Sequence, residues 1–446
     1  MKSKIKLTGI LLLACYQMEA QSPIWDMDQC MQYAVENSAG VKIQQWKNRS
    51  SREDVKSARG AFFPTLNAGI SASTSFGRSI DPETNTYSTT SNFSNPYELS
   101  GSFPLFQAGA LINSLKVSKV GVLMGEQEQM LKNTDVAIQT MQAYADYLYY
   151  TESVALANEK LEQSKATHAK TEHMEKLGLK SAADLALIYS DVAADEYNQI
   201  KQQNLRDQAL LTLKGVMNYP LDSLLTIDTN AVQQLATPEV IADETQLFES
   251  AKYWVPQAKL SALNLKNSAL QVSIAKARLY PTLSLNGGIN SRYFENLSAK
   301  GKVSPFASQL KNNLGEWVGF TLNIPIFNGW SRRASLRKSK NNMHIAQLEK
   351  DETLRQLQTE IEKVVSDCRG LHKEAHQMAR KVEADQLAYT VTLRKYEKGL
   401  LSVFDLQTSN HTLFQSKIGE LRIKLNYLLK QRLAAYYNGQ PIIRKK

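Results

Sequence analysis

Two stretches of 115 residues each, 105–219 and 326–440, contain no proline. Proline breaks helix interiors, and both stretches are rich in alanine, leucine, lysine, glutamate and glutamine, which are good helix formers. Each stretch contains one predicted break between helices, centred on Gly178 or Gly399. A serine three residues after each of these glycines suits a helix N-cap. The sequence therefore predicts, twice, a helix of about 65–70 residues, a tight turn and a helix of about 35 residues, the longer helix spanning roughly 100 Å.

The two helical stretches belong to a tandem repeat. The segment FPTLNAGIS (63–71) aligns with YPTLSLNGGI (280–289) through the shared Pro-Thr-Leu. The segment GLKSAADL (178–185) aligns with GLLSVFDL (399–406) through the shared Gly-Leu, Ser and Asp-Leu. One change of four residues between these points accounts for the difference between the two offsets, and the register otherwise holds for more than a hundred residues.

We divide the chain accordingly into a first repeat over 21–245 and a second over 246–446. Each repeat is predicted to contain a helix, two strands, a helical hairpin and a closing segment. The predicted bounds are strands at about 64–78 and 93–106, a hairpin at about 107–215 and a segment at about 216–245, then strands at about 281–294 and 316–327, a hairpin at about 330–435 and a C-terminal tail.

The predicted strands alternate apolar and small polar residues. In YELSGSFPL (97–105), for example, tyrosine, leucine and phenylalanine occupy odd positions, and glutamate and serine occupy even ones. A membrane barrel needs this period, with lipid outside and water inside, although a half-buried soluble sheet has it too. Four strands are too few to close a barrel, and lipid does not tolerate open sheet edges. A membrane barrel would therefore be shared by several chains.

Four prolines mark the junctions between helices and strands. Pro64 and Pro281 precede the first strand of each repeat, and Pro104 and Pro325 stand at the end of the second. We interpret all four as strand–helix transitions, where Pro104 and Pro325 end the strand and set the direction of the following helix. Two further stretches are predicted as extracellular loops: 87–95, which is rich in Ser, Thr and Asn, and 295–313, which carries the four extra residues.

The N-terminal residues carry three lysines, an apolar run and a small-residue site. This pattern predicts a secretory signal over 1–20, cleaved after Ala20. The alternative is a lipobox that would acylate Cys15. The other cysteines, Cys30 and Cys368, are too few and too distant for a disulfide framework. We interpret them as buried or incidental thiols.

Composition and motifs argue against several function classes. The net charge is +10, but the basic residues are scattered and not interleaved with aromatic residues, which disfavours nucleic-acid binding. His372 and His376 share a helix face and could grip a metal, although two solvated histidines are the favoured interpretation. No phosphate-binding loop or nucleophile motif is present. We predict that the protein is not an enzyme.

The layout resembles the TolC-type outer-membrane efflux proteins over nearly all of the chain after residue 20. The resemblance is carried by ARGAFFPTL and AKARLYPTL before the first strands, FPLFQAG and IPIFNGW after the second strands, and GLxSxxDL at both turns. It implies a mainly α-helical homotrimer with a shared twelve-stranded β-barrel in the bacterial outer membrane and a coiled-coil helical tunnel through the periplasm. A mixed belt domain would come from about 216–256 and the tail after Ala435.

The resemblance also implies a function and partners. The tunnel would dock on a periplasmic adaptor (a membrane fusion protein) and an inner-membrane pump or ABC transporter, and would pass substrate out of the cell. It implies no cofactor. The alternative from the residues is a secreted or periplasmic coiled-coil scaffold or adaptor without a barrel, but an adaptor would have one hairpin, and a scaffold has no need for apolar strand faces. A passive porin would contain more strand.

In this family, inward-pointing acidic residues close the periplasmic mouth. The resemblance places Asp405 at the first acidic position, whereas the second holds Thr408, and Tyr396 matches a tyrosine of the closing network. Leu401 replaces an arginine-like position, so the particular bonds do not carry over. Asp184 is the corresponding gate candidate in the first repeat, and both Asp405 and Asp184 could instead cap a helix start. The predicted adaptor-docking tips are Gly178, Leu179, Ser181, Gly399, Leu400 and Ser402.

Overall fold

The computed structural model describes residues 24–80, 85–229, 243–298 and 303–444. The predicted signal segment and Cys15 lie outside the described residues. The chain forms two compact units, each of which takes segments from both repeats, so the repeat boundary near 245 does not separate the units. Of the described residues, the helical unit comprises 24–45, 128–229, 243–259 and 353–444, and the sheet unit comprises 46–80, 85–127, 260–298 and 303–352.

Two pairs of long helices dominate the fold. In the first hairpin, α3 has 67 residues and α4 has 36, and in the second hairpin α8 has 67 and α9 has 35. These lengths are close to those predicted from the proline-free stretches. The helices in the described part of the chain are α1 (Met27–Asn37), α2 (Ala39–Gly60), α3 (Ala110–Lys176), α4 (Ala182–Met217), α5 (Glu244–Trp254), α6 (Pro256–Ala277), α7 (Phe306–Asn312), α8 (Ser331–Glu397) and α9 (Val403–Tyr437).

The sheet unit contains an antiparallel sheet in the order β2-β4-β6-β7, with β3 also paired to β4. A separate parallel pair in the helical unit joins β1 and β5. The strands of the described residues are β1 (Ile24–Trp25), β2 (Thr65–Ile70), β3 (Ser73–Ile80), β4 (Tyr87–Phe106), β5 (Thr226–Ile227), β6 (Thr282–Asn296) and β7 (Gly315–Asn323).

The register of the sheet places the predicted apolar residues on one face, since directly opposite residues share a face. One such row is Phe103, Leu285 and Phe320, and the neighbouring polar row is Ser102, Asn286 and Gly319. We call the first side the apolar face: Leu66, Ala68, Ile70, Phe76, Tyr97, Leu99, Phe103, Leu285, Ile289, Tyr293, Val318, Phe320 and Leu322. Most of its large side chains, including Val318 at 77%, are exposed in the single chain.

Three local predictions were wrong. The stretch 87–95 is the first half of β4 and pairs with β3. Ser, Thr and Asn fit a strand there because one side of the strand faces water. Pro104 does not end β4: the strand continues to Phe106, and the ladder is irregular at Pro104, where proline has no N–H to donate. The stretch 295–313 is not all loop, since it includes the end of β6 and all of α7.

The remaining junction prolines lie outside the strands. Pro64 and Pro281 directly precede β2 and β6, and Pro325 follows β7 by two residues. Short α7 stands where β6 extends past the start of β7. There the side chain of Gln309 bonds both the N–H and the carbonyl of Phe294 at 2.9 and 3.0 Å. Helix α7 thereby satisfies part of a strand edge that would otherwise be unpaired.

The helical unit has its core where α1, α3, α5, α8 and α9 pack together, with Met31, Met141, Leu247 and Ile361 almost completely buried. Cys30 and Cys368 are free buried thiols, as predicted. Burial raises the pKa of Cys30 to about 12 and that of Cys368 to about 11. Neither thiol is activated for chemistry at neutral pH.

A buried polar trio links α3 to α4. Lys160 Nζ lies 2.8 Å from Asp195 Oδ1, and Ser164 Oγ donates to Asp195 Oδ2 at 2.6 Å. Asp195 is almost fully buried, so these bonds satisfy a carboxylate that burial would otherwise penalise.

The second hairpin carries the same trio at the equivalent positions of the repeat, but with serine and aspartate exchanged between the helices. Lys381 and Asp385 lie on α8, where Lys381 Nζ is 2.6 Å from Asp385 Oδ2. Ser416 on α9 donates to the same carboxylate at 2.5 Å. The exchange preserves one lysine, one carboxylate and one hydroxyl at each crossing.

This exchange predicts a compensating double substitution. Asp195→Ser should destabilise the protein by about 2–3 kcal/mol, because Lys160 loses its carboxylate, and Ser164→Asp should destabilise it by crowding two carboxylates. The double variant, which reproduces the second trio, should lie within about 1 kcal/mol of the wild type. Thermal unfolding followed by helical circular dichroism measures all three. Additive effects in the double variant would contradict coupling within the trio.

Candidate functional site at the hairpin tips

Each hairpin reverses direction at a glycine in the left-handed conformation. Gly178 has φ +74° and Gly399 has φ +75°. In the first turn, the N–H of Leu179 donates to the Met174 carbonyl at 2.9 Å and the N–H of Gly178 donates to the Glu175 carbonyl at 2.8 Å. The second turn repeats both bonds at 2.9 Å each. This is the Schellman arrangement, in which glycine avoids the penalty that a Cβ incurs.

The next helix of each hairpin starts with a capping box. Ser181 Oγ accepts the N–H of Asp184 at 3.1 Å, and Asp184 Oδ2 accepts the N–H of Ser181 at 3.2 Å. Ser402 and Asp405 repeat the pattern at 3.2 and 3.1 Å. The capping interpretation of Asp184 and Asp405 is therefore confirmed, and it leaves a gate role open, since a capping carboxylate still carries its charge.

Apolar side chains project from both tips. Leu179 is 65% exposed, Leu400 is 68% exposed, and Phe404, next to Asp405, is 72% exposed. By contrast, Val403 and Leu406 on the other side of the same turn are buried. The sequence analysis did not predict a role for Phe404. The equivalent residue of the first repeat is Ala183, so the aromatic residue is specific to the second tip. The buried side chains form a core between the two hairpins: Ile188, Tyr389, Tyr396, Val403, Leu406 and Leu413.

Tyr396 joins the two hairpins. Its hydroxyl lies 2.9 Å from Thr171 Oγ1, and both residues are buried. Lys180 Nζ lies 4.1 Å from the centre of the Tyr396 ring. Burial raises the pKa of Tyr396, and the charge of Asp184 adds to the increase, so the phenol is neutral at physiological pH. Thr171 could not be found from the sequence because its partner lies in the other repeat.

The two tip aspartates have different surroundings. Asp405 is exposed, and Thr408, one turn along α9, is exposed too, with its hydroxyl bonded to the Phe404 carbonyl at 2.8 Å. Asp184 is half-buried and close enough to Tyr396 to affect its pKa. Hydrogen bonds from Ser402 hold the pKa of Asp405 below its usual value, so this carboxylate is ionised at neutral pH. Of the gate candidates, Asp405 and Thr408 are thus the two whose side chains are exposed in the single chain.

The described residues were also tested for a metal site and for a membrane-spanning helix. Within residues 24–80, 85–229, 243–298 and 303–444, no group of three or more His, Cys, Asp or Glu is arranged to hold a metal ion. The His372 ring lies 6.1 Å from that of Tyr427. None of the helices described contains a stretch that is long and apolar enough to span a membrane.

Comparison with known proteins identifies the family. The family model described as "Outer membrane efflux protein" matches residues 30–218 and 256–437, which include both hairpins and the sheet. The chain belongs to the outer membrane efflux protein family. The efflux-protein resemblance predicted from the two repeats is confirmed, and with it the outer membrane as the location.

Individual relatives are distant. The probable efflux pump outer membrane protein TtgC of Pseudomonas putida is 22% identical over 302 residues, which span 66% of this chain and 59% of TtgC. The proteases secretion protein PrtF of Dickeya chrysanthemi is 20% identical over 471 residues, covering 100% of this chain and 97% of PrtF.

Solved structures show the same protomer fold. CusC superimposes with a TM-score of 0.79 at 17% identity, covering 93% of this chain and 92% of CusC. VceC from Vibrio cholerae superimposes with a TM-score of 0.77 at 15% identity, covering 93% and 96%. The predicted fold class, long helices with a few strands of an incomplete barrel, is confirmed for the protomer. The family and fold are those of efflux channels, which are not enzymes.

Proposed function

We propose that three copies of this efflux-family chain form an exit duct through the outer membrane. Each copy contributes its sheet to one shared twelve-stranded barrel and its hairpins to a periplasmic tunnel. The tunnel receives cargo from an inner-membrane pump or ABC transporter through a periplasmic adaptor. The pump, and not the duct, determines which class of cargo is exported. This is consistent with the relatives, which include proteins named for antibiotic efflux, pyoverdine export and protease secretion.

The observation that carries this proposal is the two-faced open sheet. The apolar face is exposed in the single chain and carries one carboxylate, Glu316, opposite Ile289. The opposite face consists mainly of Asn, Ser, Thr and Gly, together with Glu98, Arg292 and Trp317. In the described residues, β2 and β3 lie at one edge of the sheet and β7 lies at the other. Lipid tolerates an exposed apolar face but not an unpaired edge, so pairing of β7 with β2 and β3 of the next copy satisfies both requirements.

The tips support two further roles. Asp405, with Thr408 beside it, forms the periplasmic gate when three copies meet around one axis, and Tyr396 fixes the second hairpin against the first. The turns at Gly178 and Gly399 present their exposed leucines to the adaptor. A scaffold without a barrel, the alternative function, gives no role to the apolar face.

Paired arginine substitutions in the sheet test the duct. Leu99 lies on the apolar face opposite Ala68 and Ile289, whereas Asn290 lies on the polar face opposite Glu98. Leu99→Arg should sharply reduce the amount of trimer in the outer membrane, because arginine costs about 2–4 kcal/mol at the lipid midplane and each trimer carries three copies. Asn290→Arg should leave the amount near wild type, since water and Glu98 accommodate the charge.

The measurement is outer-membrane fractionation followed by light scattering of the detergent-purified protein. The wild-type protein should be a trimer. A stable monomer that keeps its strands in a bilayer would contradict the shared barrel, and equal membrane levels of the two arginine variants would contradict the assignment of faces.

A further inference from the structure

A cavity lies in the sheet unit, between the end of β7 and the start of α8. Its volume is about 240 Å³, and its lining includes Leu279, Ile326, Phe327, Trp330, Arg332 and Arg333. Ile326 is 93% exposed and Phe327 is 78% exposed. Ile326 lies three residues after the end of β7, in which Leu322 belongs to the apolar face. The cavity therefore adjoins the surface assigned to lipid.

Trp330 adopts an unfavourable backbone conformation at this cavity. Its φ is +65°, in the left-handed region that bulky residues rarely occupy. The equivalent residue of the first repeat is Gly109, with φ +81°. The connection therefore needs a left-handed residue at this position, and glycine meets that need without strain. The preceding position is left-handed in both repeats too, with Ala108 at φ +47° and Gly329 at φ +59°. Each repeat therefore has one side chain at left-handed φ, a methyl group in the first and an indole, 57% exposed, in the second. The bulkier side chain bears the larger conformational cost, which indicates a role for the indole.

Two guanidinium groups stand beside the indole. Arg332 Nη1 donates to the Arg278 carbonyl at 2.6 Å, and the Arg333 guanidinium carbon lies 5.3 Å from the centre of the Trp330 ring. Within the described part of the chain, neither arginine forms an ion pair with a carboxylate. The first repeat has Leu111 and Ile112 at the two positions. The second repeat alone thus combines an aromatic residue, an apolar wall and two positive charges without a counter-charge.

We propose that this cavity binds the head group of an anionic phospholipid in the periplasmic leaflet of the outer membrane. Arg332 and Arg333 bind the phosphate through charge-assisted hydrogen bonds. Trp330 lies at the interface, where indoles are favoured, and Ile326 and Phe327 contact the first acyl carbons. The inference rests on the proposed membrane insertion and adds a lipid specificity to the second repeat that the first lacks.

Brominated lipids test the proposal, because they quench tryptophan by contact. The full-length protein is reconstituted into phosphatidylethanolamine nanodiscs that contain a minor fraction of brominated phosphatidylglycerol or, separately, brominated phosphatidylethanolamine. The Trp330 signal is the difference between wild type and Trp330→Phe. We expect phosphatidylglycerol to be enriched at Trp330 by roughly 30-fold over phosphatidylethanolamine, as two surface arginines would produce.

The test variant replaces both arginines by the residues found at the equivalent positions of the first repeat. Arg332→Leu with Arg333→Ile should remove the preference while Trp330 remains quenched equally by both lipids. The control, Arg337→Leu with Lys338→Leu, removes the same charge from exposed positions of α8 outside the cavity and should keep the preference. Equal quenching of the wild type by both lipids would overturn the lipid site alone. No quenching by either lipid would overturn membrane insertion as well.

Trp330→Gly provides a second measurement. Glycine, the residue of the first repeat, relieves the left-handed strain, so the variant should unfold in detergent at or above the wild-type temperature. A lower unfolding temperature would show that the indole is kept for packing, and would overturn its assignment to lipid.

Discussion

Gly399→Trp should abolish export while the trimer still assembles and inserts. No atom lies within 4 Å of a Cβ built on Gly399, so the first atom of a new side chain meets no neighbour. The left-handed conformation costs a side-chain-bearing residue about 1–2 kcal/mol, which a turn held by two backbone bonds and a capping box can withstand. The bulk of the indole would instead obstruct any partner that approaches the turn.

Leu179→Asp combined with Leu400→Asp should have the same effect for a different reason. Both leucines are exposed, so aspartate costs the fold little, but three copies would place six charges on the proposed docking ring. Substrate accumulation in cells measures export, and crosslinking to the adaptor measures docking. Gly399→Ala is the matched control, since it carries the same backbone strain without the bulk and should export normally. Normal crosslinking and export in the Trp and Asp variants would place docking elsewhere on the helices.

The sequence could predict the tips because their structure is local. A glycine followed by leucine and serine, with aspartate three residues after the serine, contains every side chain needed for the Schellman turn and the capping box at Gly178 and Gly399. The strand faces were predictable for the same reason, because a period of 2 fixes which side chains share a surface.

Features that depend on distant partners could not be predicted. Thr171 lies opposite Tyr396 only because α3 packs against α8, and the Lys–Ser–Asp trio exists only across a helix crossing. Residues 87–95 were predicted as a loop because polar residues favour turns, whereas pairing with β3 makes them a strand. Trp330 could not be recognised either, since its backbone conformation is the informative feature and the sequence shows only a tryptophan where the first repeat has Gly109.

Asp405→Asn should weaken block of the reconstituted channel by trivalent cations at least tenfold, a change of about 1.4 kcal/mol. Three exposed carboxylates around one axis would form an acidic ring, which favours cations, and the substitution removes all three charges. Hydrogen bonds from Ser402 lower the pKa of Asp405 in the single chain, whereas repulsion among three carboxylates in a ring raises it. Block of the wild type should therefore weaken as the pH falls and the three carboxylates take up protons, and Asp405→Asn should lack this pH dependence.

Asp184→Asn is the matched control for the gate, because it removes a carboxylate from the same capping box in the other repeat. Asparagine retains an oxygen that can accept the bonds of the cap, so both variants alter the helix start equally. Asp184, however, is half-buried toward Tyr396, whereas Asp405 is exposed beside Thr408. Trivalent block should be reduced in Asp405→Asn and nearly unchanged in Asp184→Asn. An equal loss in both variants would assign the effect to the helix caps, and unchanged block in both would leave Asp405 with the capping role alone.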